Sequence, residues 1–410
     1  MSDDTTSARD RLVEIRVQGM RALADVRLPL GGLTVLIGDN GTGKSTLVEA
    51  FELLRAAARP GSFLADQILA GHGGLGALLR VGAPALRILT RIAGPGGEIE
   101  YALALAPQGS GMIISEERLD AWDGAASGPP RTIIARDLSG CRVLAAREGE
   151  MTPVNVLPDQ LALTFLGYFA HPAVRRVLDV FKGGVVHVPF RVDPPWVARE
   201  RNPLRSPSQV AQATELDRLG GNLANCFHQL AGGADRAAWE RTLERVRAGL
   251  GLDVVDVRTP PAGRGEIELT VHFRSLTSPI PAAALSDGQL MYLGFVALAE
   301  LGRSQSFLVF DEPEAHLHPE LLVRVVWLLE ELSRSCPVVV GTQSDRLLDA
   351  LSAPERSVVL CELDERRAAR LLRPNAEALA RWLERYRGLG DLRAAGYAAH
   401  VVTEPVGTGR

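Results

Sequence analysis

Lysine is almost missing from this chain: of 410 residues only Lys44 and Lys182 carry it, and arginine supplies the rest of the basic charge. Cysteine is scarce too. Cys141, Cys226, Cys336 and Cys361 are scattered with no C-x-x-C pair, which speaks against zinc, provides no disulfide framework and leaves them to be read as buried thiols. No run of 18 or more apolar residues occurs, and the opening Met-Ser-Asp-Asp-Thr-Thr is acidic and polar where a signal would be basic and apolar. No membrane partner and a cytoplasmic location are therefore expected. The net charge of −4 holds no basic excess that would announce nucleic acid, although a local patch could still bind it. Internal repeats and sustained a/d heptads are also lacking, which excludes long coiled-coil arms.

What is present is the balance of an ordinary globular protein, 46% hydrophobic and 23% charged, with length enough for two or three subdomains. One of the two lysines stands in the most informative stretch. Residues 38–46 read Gly-Asp-Asn-Gly-Thr-Gly-Lys-Ser-Thr, a complete G-x-x-x-x-G-K-[ST] loop entered by the apolar run Leu33–Ile37 and left by a helical pattern. A polyphosphate needs many donors close together. Gly38, Gly41 and Gly43 let backbone N–H groups point inward, with Asn40, Thr42 and Thr46 completing the cradle, and the following helix adds its positive end. Lys44 is expected on the β- and γ-phosphates and Ser45 on Mg²⁺, making ATP and Mg²⁺ the expected cofactors.

Patterning divides the rest. Residues 1–60 read as the first half of a nucleotide-binding core and 61–150 as an antiparallel β lobe, with the alternating segments 86–88 and 99–105 forming a hairpin around 94–97. Residues 151–260 carry helical spacing, interrupted by a proline- and arginine-rich loop at 189–207. An alternating strand through Ile267, Leu269, Val271 and Phe273 then leads into the second half of the core, 261–400, with buried parallel strands at 307–310 and 338–340 and a loose tail at 401–410.

In that second half, Asp311 and Glu312 end a hydrophobic strand. One carboxylate there can hold Mg²⁺ and the other can orient or deprotonate water, and we assign Asp311 to the metal and Glu312 to catalysis. Upstream, Leu285-Ser-Asp-Gly-Gln289 precedes a helical run and resembles the signature of ABC-type ATPases. Taken with the loop at 38–46 and the acidic pair, the chain resembles the ABC-type heads of the RecF/SMC superfamily. Within it the match extends to compact ATPases through Leu219-Gly-Gly-Asn-Leu-Ala224, Glu312-Pro-Glu-Ala-His-Leu-His-Pro319 and Gly341-Thr-Gln-Ser-Asp-Arg-Leu-Leu348. The fold class implied is α/β, a P-loop NTPase of the ABC/RecF-SMC head type, with an antiparallel β lobe and an inserted helical lobe.

The resemblance also implies partners. Two such heads hold two ATP molecules between them, so Ser286, Gly288 and Gln289 are expected to meet the γ-phosphate bound to a second copy, in a homodimer formed on ATP binding. Gln343 stands where ordinary ABC proteins have a histidine that contacts the γ-phosphate, and so joins Glu312 as a catalytic candidate; its amide can donate but not carry charge, which suggests slow turnover. Asp287 replaces the usual signature glycine, a charge unfavourable near phosphate unless it points away or caps the helix. Gln160 is the candidate for the glutamine that couples metal to the helical lobe, a surface glutamine being the competing reading. Arg21 is a candidate for a basic residue near nucleotide, and His316 and His318 read as interface residues, since His-x-His without a third ligand is poor support for zinc.

The expectation is an ATPase acting as a dimerising switch that gates action on DNA or a separately encoded nuclease or other effector, in repair or phage defence. About 60 residues after Gln343 are too few for a Toprim-type nuclease. Arg191, Arg199, Arg201 and Arg205 are the candidate DNA-facing patch, against the plainer reading of a solvated loop. Two other classes stay open: the ATPase subunit of a membrane transporter, and a slow regulatory ATP-binding protein that holds a toxin or nuclease.

Overall fold

The computed structural model describes residues 9–59, 69–109, 111–122, 124, 128–144, 149–167, 171–193, 204–383, 388–396 and 401–405. Two large sheets carry the fold. The seven-stranded sheet runs Gly184–His187, Phe307–Asp311, Val338–Thr342, Leu33–Ile37, Val358–Leu363, Ala369–Pro374, Val402–Pro405. The first five strands are parallel, with Val35 opposite both Val340 and Val358. Their near-continuous apolar runs suit a sheet covered on both faces.

The alternation within each strand assigns the faces. Leu36, Phe307, Val309 and Val339 join the helix Lys44–Ala57 and the antiparallel sheet in one hydrophobic cluster. Val35, Ile37, Leu308, Phe310, Val338 and Val340 join the helices Asp287–Leu301 and Pro319–Leu332 in the other. From Leu290 through Ala299 the first of these helices is buried at every position, as a helix apolar all round must be.

The eight-stranded antiparallel sheet has the order Leu23–Pro29, Arg11–Met20, Leu86–Gly94, Gly97–Gln108, Gly111–Ala121, Arg131–Asp137, Gly140–Leu144, Met151–Val154. The expected hairpin forms, with Leu86 opposite Leu105, Ile92 opposite Ile99, and Gly94 opposite Gly97. Gly97 has φ 88°, and a Cβ there would lie 2.0 Å from the Trp122 carbonyl oxygen, so the turn requires glycine. Residues 11–29 supply the first two strands, so the N-terminal segment serves both sheets.

Three local expectations change. The stretch expected to be largely helical contains the strand Gly184–His187, the edge of the parallel sheet beside Phe307–Asp311; four buried residues are too short a run for a period to register. The single alternating strand through 267–273 is split into Glu266–Ile267 and Thr270–Phe273, which pair in different three-stranded sheets. Residues 402–405, expected in a loose tail, form a strand on Ala369–Pro374, anchored by the fully buried Val401; 406–410 lie outside the described residues.

Candidate functional site

The strand Leu33–Ile37 delivers the chain into a loop that glycine makes possible. A Cβ on Gly38 would sit 2.1 Å from the Cys361 carbonyl oxygen, and Gly43 has φ 101°. Thr42 Oγ1 donates to the Asp39 carbonyl at 2.8 Å, closing the turn. Lys44 is 6% exposed, and its Nζ donates to the carbonyls of Gly38 at 2.6 Å and Asp39 at 2.9 Å. Burial pulls this ammonium below the ordinary lysine range, against the opposing pull of Cys361 and Asp311. The side chain is thus folded over the loop it would serve, on acceptors that a phosphate would replace.

Asp311 ends the neighbouring strand but one and hydrogen-bonds to Ser45; burial pushes its carboxyl up more strongly than that bond draws it down. Directly opposite, Gly341 leaves the space, since a Cβ would lie 2.5 Å from Asp311 Oδ1. A carboxylate and a hydroxyl, both oxygen donors and short of positive charge, fit a hard divalent cation such as Mg²⁺.

Glu312 adopts φ 50°, a conformation that costs a non-glycine residue energy and persists where surroundings fix it. Its N–H donates to the Gly341 carbonyl at 2.7 Å, and its Oε1 accepts from Gln343 Nε2 at 2.7 Å. The two residues read from the sequence as catalytic therefore touch. Glu314, not singled out by sequence reasoning, accepts from Thr342 Oγ1 at 2.6 Å and from the Gln343 N–H at 3.1 Å, and so sets the height of Gln343. The Glu-Pro-Glu spacing was the available signal.

Ser286 caps the helix Asp287–Leu301 in a complete capping box: Ser286 Oγ accepts from the Gln289 N–H, and Gln289 Oε1 accepts from the Ser286 N–H at 3.0 Å. A Cβ on Gly288 would stand 3.2 Å from the His316 carbonyl oxygen. Asp287 turns to Arg205, with His316 Nδ1 at 3.9 Å on its other side. His316 has φ 63°, and His318 caps Pro319–Leu332, so both histidines are committed to the turn between the acidic strand and that helix.

The backbone carbonyl of Gln160 accepts from Arg136 at 2.5 Å, in the connection that follows the antiparallel sheet. Gln160 is not among the residues lining the cavity of about 430 Å³ beside Ser45 and Asp311, which are Glu49, Glu52, His72, Val188 and Arg218 with their neighbours. Arg21 is bound to Glu49 and to the Ala77 carbonyl. Arg205 is no part of a DNA-facing patch: it is buried, and donates to the carbonyls of Val192, Ala283 and Leu285 as well as to Asp287. Arg191 pairs with Asp193, and Arg199 and Arg201 lie outside the described residues. Sequence reasoning also missed Arg393, which bridges Asp39 of the loop to Asp345 just after Gln343.

Beneath the acidic pair, His187 is fully buried between Phe190 and Phe310, its Nδ1 on the Arg218 carbonyl, and burial holds its pKa down at about 4. Between the unfolded value and that figure the unfolded chain binds the proton and the folded chain does not, so stability falls as pH drops through this window. The expected loss from this group between pH 7 and pH 5 is about 2 kcal/mol. Urea unfolding at both pH values should show it, and it should be absent in His187→Phe.

The family described as "AAA domain, putative AbiEii toxin, Type IV TA system" matches residues 33–102 and 191–349. The protein is 35% identical over 122 residues to the DNA replication and repair protein RecF of Anaeromyxobacter sp. (strain Fw109-5), covering 28% of this chain and 30% of that protein. It is 44% identical over 43 residues to the OLD nuclease of Thermus scotoductus (strain ATCC 700910 / SA-01), covering 10% of this chain and 8% of the nuclease. The chain thus matches less than a third of the length of either relative. The Smc head domain with an extended coiled coil, bound to the C-terminal domain of ScpA and derived from Pyrococcus furiosus, superposes with a TM-score of 0.51 at 13% identity, over 92% of this chain and 99% of that one. That likeness is one of fold: an α/β P-loop head of the SMC type. No described helix is long and apolar enough to cross a membrane.

Proposed function

Since the chain belongs to this family of AAA-type ATPase domains, matched over more than half its length, we propose that it is an ATP-hydrolysing, dimerising switch whose closed state acts on DNA or on an effector protein, in repair or defence. The observation that carries the reading is the contact between Glu312 and Gln343 at the ends of adjacent parallel strands, beside the Ser45–Asp311 pair and the lysine loop. Mg²⁺ bound at Ser45 and Asp311 would offset charge on the β- and γ-phosphates.

This chain's own residues do the remaining work. Lys44 leaves its two carbonyls for phosphate oxygens, and the N–H groups of 41–46 at the helix start hold the same anion. Glu312, fixed by its backbone bond and by Gln343, accepts the proton of an attacking water. The Gln343 amide reports on the γ-phosphate position through that same bond. Ser286, Gly288 and Gln289 form a second N-terminal anion site, to be offered to the nucleotide of another copy. A ligand shifts the open and closed populations only through its differential affinity, and a shared nucleotide supplies that difference.

Light scattering with ATP and Mg²⁺ tests the switch: wild type should double its molar mass. Lys44→Ala should stay monomeric, with ATP affinity lowered by at least about 30-fold, the loss of a buried charged contact of roughly 2 kcal/mol. A wild type that stays monomeric at saturating ATP sinks the dimer. Titration with duplex DNA then separates the two outputs, because DNA coupling predicts binding that weakens steeply with salt and a changed ATPase rate. Neither would occur if the output is an effector protein.

A further inference from the structure

An aspartate in the signature turn is out of place if that turn receives phosphate. Asp287 lies between Ser286 and Gly288 at the first turn of the helix, and its side chain is 41% exposed, open to whatever approaches. Uncompensated, its charge would oppose the anion that the helix N-terminus attracts. Arg205 answers that charge, although it comes from more than eighty positions upstream.

Resting on the dimer reading above, we propose that Arg205 is the positioning residue of the signature: it neutralises Asp287 and holds the turn in the shape that accepts a partner's γ-phosphate. Arg205 is 8% exposed, and all three nitrogens of its planar fork donate. Nε donates to the Val192 carbonyl at 2.9 Å, Nη1 to the carbonyls of Ala283 at 3.1 Å and Leu285 at 2.6 Å, and Nη2 to the Asp287 carboxylate. The carbonyls of 283 and 285 lead into Ser286, so the same group that cancels the charge also holds the backbone that enters the capping box of Ser286 and Gln289. His316, whose Nδ1 is 3.9 Å from Asp287, faces the carboxylate from the turn that follows the acidic strand. The Val192 bond ties the signature to the stretch after the edge strand Gly184–His187. Arg205 therefore links the surface offered to a partner with the stretch that follows the edge of the parallel sheet.

The test is a charge-rescue series in ATP-linked dimerisation, read by light scattering, with monomer affinity for a fluorescent ATP analogue and melting temperature measured alongside. Arg205→Gln should weaken the dimer at least tenfold while the loop at 38–46 still binds nucleotide within about twofold of wild type. Adding Asp287→Asn should restore most of the loss, and Asp287→Asn alone should dimerise at least as tightly as wild type. Equal loss in Arg205→Gln with and without Asp287→Asn would mean a structural brace only, and overturns the proposal. So does wild-type dimerisation in Arg205→Gln. If Arg205→Gln does not fold, Arg205→Lys reads the charge alone, since it keeps the charge and loses the fork: dimerisation within about threefold of wild type is expected, and a tenfold loss overturns neutralisation as the role. A wild type that never dimerises overturns the switch itself, an outcome distinct from failed rescue in a dimerising background.

Discussion

Glu312→Gln should lower steady-state ATP turnover by about 10²–10⁴-fold, the usual worth of a positioned general base, and should accumulate the ATP-bound dimer. The substitution keeps the shape of the side chain. The backbone of 312 is held independently by its N–H bond to the Gly341 carbonyl, so the turn at φ 50° survives. An amide at 312 can still face the Gln343 amide, but it cannot take a proton from water. Phosphate release measured beside molar mass separates chemistry from binding: turnover collapses and the dimer persists. Unchanged turnover would remove Glu312 from the catalytic role, leaving Glu314 as the neighbouring carboxylate to examine. Its Oε2 is buried and has no hydrogen-bond partner among the described residues.

Glu117→Ala should cost about 3–5 kcal/mol of folding stability, the usual penalty for removing one partner of a buried ion pair. Glu117 is completely buried in the antiparallel sheet, 3.6 Å from Arg136, whose side chain is 6% exposed. Its oxygens accept the N–H groups of Ala162 at 2.7 Å and Leu163 at 2.8 Å, at the start of the helix Ala162–Leu166, and the hydroxyl of Tyr101 at 3.1 Å. Burial pushes this carboxyl up, and the two backbone donors and Arg136 oppose the shift. The truncation strands a buried guanidinium, a phenol and two helix-end donors together. Urea unfolding followed by circular dichroism reads the loss. A change under about 1 kcal/mol would mean that water replaces the carboxylate and that the junction is wetter than its burial suggests.

What the sequence disclosed follows from how locally each feature is encoded. The loop at 38–46, the acidic pair and the signature turn are contiguous segments whose chemistry is written in neighbouring residues, and the structure brings Glu312 and Gln343 into contact from the ends of adjacent strands. The antiparallel hairpin was legible because alternation over 86–105 has one period and one turn. Arg205 was not legible. Arginine abounds here and its role depends on acceptors at 192, 283, 285 and 287, so a proline-rich context pointed to an exposed loop and the fold buried it. Arg393 escaped for the same reason, its partners Asp39 and Asp345 being far apart in the chain. The edge strand Gly184–His187 is too short to carry a period, and its neighbour at Phe307–Asp311 lies over a hundred residues on.

The placement of Leu33–Ile37 between Val338–Thr342 and Val358–Leu363 has a bearing on biosynthesis. Made early, this five-residue apolar strand finds no sheet neighbour until the ribosome has passed the late strands at 338–342 and 358–363. The meander of neighbouring hairpins over 86–154 can pair as it emerges, because its contacts are short-range. For most of translation the nascent chain therefore carries an unpaired hydrophobic edge, the kind of surface that chaperones shield and that otherwise aggregates. Added nucleotide cannot rescue such intermediates, because its cradle is completed only by residues synthesised near the end.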